Sequence, residues 1–160
     1  YQQALNYAQL TGNEIVLDTY CGIGTIGLYM AKGAKHVYGV EIVPQAIIDA
    51  QENATKNQLN NTTFVCGKAE DIILEWKRQG IKPDVVMVDP PRKGCDETFL
   101  TTLLQLEPKR IVYISCNPST QQRDAQILAE SYGLVEITPV DMFPHTTHIE
   151  TVALFERQDV

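Results

Sequence analysis

The sequence has no cysteine pair at metal-binding spacing, no long apolar run and no excess of positive charge. Its four cysteines are far apart, which argues against a zinc site, and a chain of 160 residues can bury a core without a disulfide framework. We therefore expect a reducing, cytoplasmic environment. No stretch approaches the roughly 18 apolar residues of a membrane span, and no signal peptide is evident, so we expect no membrane association.

Basic residues are the minority among the charged ones. Lys and Arg number 13 against 20 Asp and Glu, giving a net charge of −7. A negative domain is poorly suited to gripping nucleic acid by itself. The chain also begins at Tyr1, inside what reads as a helix. We therefore expect residues 1–160 to be one domain, a monomeric fragment of a longer protein.

Short β-rich runs alternate with helical segments along the whole chain. Strands are predicted at residues 15–18, 37–41, 62–66, 85–89, 110–115, 134–140 and 147–155. Helices are predicted at residues 25–32, 44–57, 69–79, 97–106 and 120–131. This alternation predicts an α/β fold with a doubly wound, mostly parallel sheet whose ligands bind at the carboxyl ends of the strands. Because only a short loop separates the last two strands, we expect the final one to be antiparallel.

The loop after the first strand is rich in glycine. Gly22, Gly24 and Gly27 fit the G-x-G-x-x-G pattern, and Glu41 ends the next strand, where it could bind a ribose hydroxyl. NAD and S-adenosylmethionine both remain possible ligands of such a loop. The carboxylate of Asp18 would repel a pyrophosphate but not a sulfonium amino acid, and this favours S-adenosylmethionine.

Residues near this loop add detail to that hypothesis. Tyr20 and Cys21 stand where an NAD-binding turn usually already has glycine, which again favours S-adenosylmethionine. Ile42, next to Glu41, could line an adenine pocket or could belong only to the core.

The loops after the fourth and fifth strands carry candidate catalytic groups. Asp89 is followed by two prolines, which stiffen the exit from the strand, and then by Arg92 rather than the aromatic residue typical of base-amine methylation. Cys116 follows the fifth strand at the same sheet edge. A free cysteine is more often a small buried apolar residue than a nucleophile, so both interpretations stay open.

Near the C-terminus, the segment F-P-H-T-T-H-I-E ends at Glu150, which opens an apolar run. An acid in that position is either salt-bridged or functional. His145 and His148 suggest a metal, but two histidines with distant acids make a poor ligand set, so we expect no metal.

Taken in order, D-T-Y-C-G-I-G-T, G-V-E-I-V-P, D-P-P-R-K-G-C-D, S-C-N-P and F-P-H-T-T-H-I-E resemble the RNA uracil-5 methyltransferase family, which acts on tRNA and 23S ribosomal RNA. The resemblance covers nearly the whole chain and implies a class I, Rossmann-like methyltransferase. It implies that Cys116 is the nucleophile and Glu150 the base. It also implies cofactor contacts at Tyr20, Thr25, Glu41 and Asp89, with Asp89 near the target base as well. We add Asp18, Gly22, Gly24 and Ile42 as expected cofactor-binding residues.

The chain also departs from the family pattern. The upstream glutamine motif, the N-terminal RNA-binding domain and the cysteines of an iron–sulfur cluster are missing, and Lys68 stands where many relatives have an acid that contacts adenine. We expect the missing domain to supply most of the affinity for RNA.

The implied reaction is methyl transfer from S-adenosylmethionine to C5 of uridine through a covalent bond between Cys116 and C6. Of the two RNA classes we favour ribosomal RNA over tRNA. Methylation of cytosine C5 or of a base amine, an NAD-dependent oxidoreductase and a catalytically silent cofactor-binding module are the alternatives.

Overall fold

The computed structural model describes residues 1–142 and 144–158, and in this part of the chain strands and helices alternate as predicted. The strands are β1 Ile15–Thr19, β2 His36–Glu41, β3 Thr62–Cys66, β4 Val85–Val88, β5 Arg110–Ser115, β6 Tyr132–Val140 and β7 Glu150–Arg157. The helices are α1 Gln2–Ala8, α2 Thr25–Ala31, α3 Pro44–Lys56, α4 Ala69–Arg78, α5 Glu97–Leu106 and α6 Pro118–Leu128.

All the strands form one sheet in the order β3-β2-β1-β4-β5-β7-β6. Strands β1 to β5 are parallel to their neighbours, whereas β7 lies antiparallel between β5 and β6. Both the mostly parallel sheet and the antiparallel last strand are confirmed.

Helices cover both faces of the sheet. Helices α1, α2 and α3 pack on one face, and α4, α5 and α6 pack together on the other. Every residue of β4 is buried, as its V-V-M-V sequence predicts for a strand covered on both sides. No helix in the described ranges is both long and apolar enough to span a membrane.

Several predicted boundaries were wrong by two or more residues. The last helix begins at Pro118 rather than at residue 120, because the Asn117 side chain caps it and proline suits its first turn, and it ends at Leu128 rather than 131. Strand β6 begins at Tyr132, two residues early. Strand β7 covers Glu150–Arg157 rather than residues 147–155, since its partner β6 ends at Val140, opposite Glu150.

Strand β4 ends at Val88, one residue before the prediction, so Asp89 lies just outside the sheet. The prolines that follow have no N–H to donate to a neighbouring strand, which explains why the ladder stops there.

The chain reverses its direction of travel across the sheet between β1 and β4. From β1 it moves outward through β2 to β3, and it then returns to place β4 on the other side of β1. Such a reversal leaves a crevice at the carboxyl ends of the central strands, where ligands bind in open α/β sheets. The loops that carry Asp18 to Gly27 and Asp89 to Gly94 meet at this crevice.

Candidate active site

A cavity of about 540 Å³ opens at the carboxyl ends of β1 to β4. Its volume is that of an ordinary small-molecule site, roughly 300–1,000 Å³. Four parallel strands contribute through the loops that follow them. The lining residues are Tyr20, Val40, Glu41, Ile42, Gly67, Lys68, Ala69, Glu70, Asp89, Pro91, Lys93, Gly94 and Asp96.

Asp18 lies beneath the glycine loop and is fully buried. Its Oδ2 accepts a hydrogen bond of 2.7 Å from the backbone N–H of Gly27, in the first turn of α2, while Oδ1 is buried without a hydrogen-bond partner. Burial raises the pKa of this carboxyl to about 7, the Gly27 hydrogen bond opposes the rise, and the carboxylates of Asp89 and Glu41 add to it. A buried acid with an unused oxygen is suited to receiving a positively charged ligand.

Glu41 is held at the end of β2 by backbone donors. Its Oε1 accepts hydrogen bonds from the N–H groups of Ile42 and Val43, at 2.8 and 3.0 Å, and its Oε2 accepts one from Gly22 at 3.1 Å. The carboxylate is thereby fixed at the cavity wall, where its remaining lone pairs can accept from ribose hydroxyls. Ile42 is 60% exposed and lines the cavity, so it is not merely a core residue.

Tyr20 forms the turn out of β1 in a left-handed conformation, with φ of 59°. Its ring packs against that of Phe99, with centroids 5.2 Å apart. Burial, with the nearby Cys95 thiol, raises the pKa of Tyr20 well above its ordinary value. Tyr20 therefore contributes a neutral phenol to the cavity wall, held by its packing against Phe99 and by a backbone conformation that is unusual for a residue other than glycine.

Asp89 lines the cavity and also lies close to Glu150, one of the two residues predicted to be catalytic. Burial raises its pKa to about 6, and the negative charge of Glu150 adds to the rise. In the antiparallel pairing of β5 with β7, Ser115 lies opposite Thr151. Continued by one residue, this register brings Cys116 opposite Glu150, next to the strand that leads to Asp89.

The other thiols are less suited to act as nucleophiles. Cys21 and Cys95 are buried, and burial raises the pKa of both, that of Cys95 to about 12. Cys66 is exposed but lies at the end of β3, away from β5 and β7. Cys116 is partly exposed at the predicted edge. Only the thiolate form of cysteine is nucleophilic, so raised pKa values disfavour the two buried thiols.

Four predicted cofactor-binding residues, the buried Asp18 and the loop residues Gly22, Gly24 and Thr25, do not line the cavity. Gly22 touches the site through its hydrogen bond to Glu41. Gly24 is buried with φ of 83°, and a Cβ there would lie 3.0 Å from the Phe64 ring, so its glycine is required for packing. Thr25 is exposed and borders a separate groove next to α3. Direct cofactor contacts of these four residues stay predictions.

The loop after β3 also lines the cavity, which we did not predict. Lys68, at the position where many relatives carry an acid, lines the cavity with a basic side chain. Glu70, two residues later in the first turn of α4, also lines the cavity and supplies a carboxylate there. The signal was available in the sequence, because every parallel strand of such a sheet ends at this edge. The sequence prediction for this loop names only Lys68, the position at which relatives carry the acid.

The residue of the C-terminal segment that lies at the predicted catalytic edge is Glu150, which begins β7. Phe143 lies outside the described residues. His145 and His148 are exposed, and among the described residues no group of three or more His, Cys, Asp or Glu side chains is arranged to hold a metal ion.

The charges of the cavity distinguish between the two candidate ligands. The carboxylates of Glu41 and Asp89, which line the cavity, lie close enough to the buried Asp18 to add to the rise that burial gives its pKa. Carboxylates repel a pyrophosphate and attract a sulfonium and an ammonium group. An acidic lining of this kind therefore fits a positively charged ligand such as S-adenosylmethionine better than it fits a pyrophosphate.

Comparison with known proteins agrees with this geometry. The model of the family "tRNA (Uracil-5-)-methyltransferase" matches residues 2–158. A protein of Staphylococcus epidermidis (strain ATCC 12228) named "Uncharacterized RNA methyltransferase" is 87% identical over 159 residues, which are 99% of this chain and 35% of that protein. A Staphylococcus aureus (strain MRSA252) protein with a similar name is 82% identical over 155 residues, 97% of this chain and 34% of its own length. The chain thus spans about a third of these relatives.

Solved structures share the fold. The Pyrococcus abyssi tRNA (uracil-54, C5)-methyltransferase in complex with S-adenosyl-L-homocysteine is 34% identical with a TM-score of 0.81, over 96% of this chain and 37% of that one. TrmN from Thermus thermophilus is 22% identical with a TM-score of 0.77, over 98% of this chain and 48% of that one, and shows the fold alone.

These findings identify the fold as that of the class I methyltransferases, and the cofactor consistent with them is S-adenosylmethionine rather than NAD. Because the family model covers almost the entire chain, the protein belongs to the tRNA (uracil-5-)-methyltransferase family.

Proposed function

We propose that the full-length protein methylates C5 of uridine in RNA, with Cys116 as nucleophile and Glu150 as base. The observation that carries the proposal is the register of β5 and β7, which pairs Ser115 with Thr151 and, extended by one residue, puts Cys116 opposite Glu150. Glu150 is also close enough to Asp89, a residue of the cavity wall, to add to the rise of its pKa. Family membership supports the reaction. Of the two RNA classes we again favour ribosomal RNA, and the rest of the protein is expected to supply most of the RNA affinity, because this domain is negatively charged.

The need for both residues follows from the chemistry of uracil. C5 is a weak nucleophile until a thiolate adds to C6, when an S–C6 bond forms and the electron pair of the C5–C6 bond moves towards C5 and O4. When bound, S-adenosylmethionine supplies the electrophilic methyl group that C5 takes up. Glu150 then removes the hydrogen on C5 as a proton, and the C5–H electrons restore the double bond while the C6–S bond breaks and releases Cys116.

The arrangement separates the two tasks in space. Cys116 follows β5 and Glu150 begins β7, so each approaches the base from its own strand. The target uridine must leave its stack to reach them, which costs least in single-stranded or loop RNA.

Replacing Cys116 with alanine should lower methyl transfer by roughly 10³-fold or more, because C5 of uracil stays a weak nucleophile when no thiolate adds to C6. Binding of S-adenosylhomocysteine, measured by calorimetry, should be unchanged. Cys66→Ala, which removes an exposed thiol elsewhere, is the matched control and should keep parent activity. Substantial residual methylation by Cys116→Ala would rule out Cys116 as the nucleophile.

Glu150→Gln should trap the reaction after methyl transfer, because the amide cannot accept the proton on C5. A covalent RNA–protein adduct should then accumulate and appear as a band that resists denaturing electrophoresis. The matched control is Glu156→Gln at the far end of the same strand, where the carboxylate pairs with Arg110 at 3.3 Å. Full turnover by Glu150→Gln without an adduct would show that this carboxylate is only structural.

Binding of S-adenosylhomocysteine should depend on pH, since its ammonium group favours ionised carboxylates. The pKa values of Asp89 and Asp18 are about 6 and about 7, so both protonate as the pH falls from 8 to 5. Affinity should therefore fall by about tenfold or more over that range. Asp89→Asn should remove the part of the dependence near pH 6 and keep the part near pH 7 that belongs to Asp18, while Asp71→Asn, on the exposed side of α4, should preserve both. An affinity independent of pH in the parent protein would contradict these roles.

A further inference from the structure

Side chains of helix α6 hydrogen-bond to the backbone of the loop that follows β4. The Arg123 Nη2 donates hydrogen bonds to the carbonyl oxygens of Lys93 and Cys95, at 3.2 and 3.1 Å. The Asp124 Oδ2 accepts one from the N–H of Cys95 at 2.8 Å. Two adjacent side chains thus hold both ends of a three-residue segment, and we name the pair the Arg123–Asp124 clamp.

The carboxylate of Asp124 is fully buried, and its oxygens are fully occupied. Its Oδ1 accepts from Nε and Nη2 of Arg123, at 2.9 and 2.7 Å, and its Oδ2 also accepts from the Tyr113 hydroxyl at 2.6 Å. A buried charge is costly unless it is paired and hydrogen-bonded on every side. A fully satisfied network of this kind fixes one geometry for the groups that it holds.

The loop lies so close to the clamp that only glycine fits between them. Gly94 has φ of 79°, and a Cβ there would lie 2.6 Å from Nη2 of Arg123 and 2.8 Å from Oδ2 of Asp124. Asn117 and Thr120 of the same helix end donate to the carbonyl oxygen of Arg92, at 3.2 and 3.4 Å. The loop therefore has little freedom to move away from α6.

The opposite side of the same loop is the wall of the cofactor cavity, to which Asp89, Pro91, Lys93 and Gly94 contribute. Helix α6 begins two residues after Cys116. The clamp consequently connects the loop after β4, which forms the cavity wall, to helix α6, which directly follows the segment that contains Cys116.

We infer that Arg123 and Asp124 are positioning residues, which set the Asp89 loop against Cys116 so that cofactor and nucleophile share one geometry. The part of this inference that concerns Cys116 rests on the proposed function, whereas the part that concerns the cofactor wall does not. Displacements of about 1 Å at a reacting centre can lower rates by roughly 100-fold, which gives such a clamp functional weight.

Arg123→Gln in the full-length protein tests the inference. The side chain of Arg123 is 54% exposed, so its loss leaves the core packed. We expect the dissociation constant of S-adenosylhomocysteine to rise about tenfold and the single-turnover rate of methyl transfer, at saturating cofactor, to fall by roughly 10-fold to 100-fold. Arg123→Lys should recover part of both, because one ammonium group can still donate to the loop carbonyls. Arg78→Gln, which removes an exposed arginine of α4, is the matched control and should change neither.

A double variant separates positioning from stability. Arg123→Gln alone leaves the Asp124 charge less well paired, whereas Arg123→Gln with Asp124→Asn removes both charges. We expect the double variant to regain the parent melting temperature but not the parent affinity or rate. Recovery of affinity and rate together with melting temperature would overturn the inference, as would parent values in Arg123→Gln. If cofactor affinity falls as expected but the parent protein methylates no uridine, the proposed reaction fails and the clamp on the cofactor wall stands.

Discussion

The arrangement of the site depends on the burial of Asp18, a carboxylate with no ion pair among the described residues. Asp18 is fully buried, its Oδ1 has no hydrogen-bond partner, and its neighbours include Glu41 and Asp89. Such a group is unfavourable unless something compensates its charge. The hydrogen bond from Gly27 does so in part and thereby fixes the glycine loop to α2. In the proposed complex, a cofactor with a sulfonium and an ammonium group offsets the remaining negative charge, so the same feature would both shape the loop and favour that ligand.

Around this acidic centre the proposed reaction assigns each chemical task to a different strand or the loop after it. In that proposal the loops after β1 and β2 hold the cofactor, the loop after β4 forms the wall towards the substrate, the thiol follows β5 and the base begins β7. The parallel order brings the first groups to one edge. The antiparallel β7 pairs Ser115, at the end of β5, with Thr151, next to the start of β7, and so puts Glu150 at the same sheet edge as Cys116. A parallel seventh strand would have placed its first residue at the opposite edge.

The sequence was sufficient to predict the sheet, its antiparallel strand and the loops that meet at the site, because hydrophobic runs and glycine or proline signals are local. It was insufficient where partners distant in the chain decide the outcome. The start of β7 depends on where β6 stops, and the burial of Asp18 depends on strands on either side of β1. Glu70 likewise lines the cavity together with residues from distant parts of the chain. The hydrogen bond from the N–H of Cys95 to Asp124 also connects residues far apart in the sequence. The family resemblance supplied the roles of Cys116 and Glu150, which spacing alone left open.

The central claim is that the full-length protein forms 5-methyluridine, and nucleoside analysis tests it most directly. Ribosomal RNA and tRNA would be separated from cells lacking the parent gene and from cells carrying it, digested, and compared by mass spectrometry. Our account predicts that 5-methyluridine falls in one pool, which we expect to be ribosomal RNA, and returns when the gene is restored. Unchanged 5-methyluridine in both pools, together with loss of 5-methylcytosine or of a methylamino base, would contradict the account and identify the base that is modified instead.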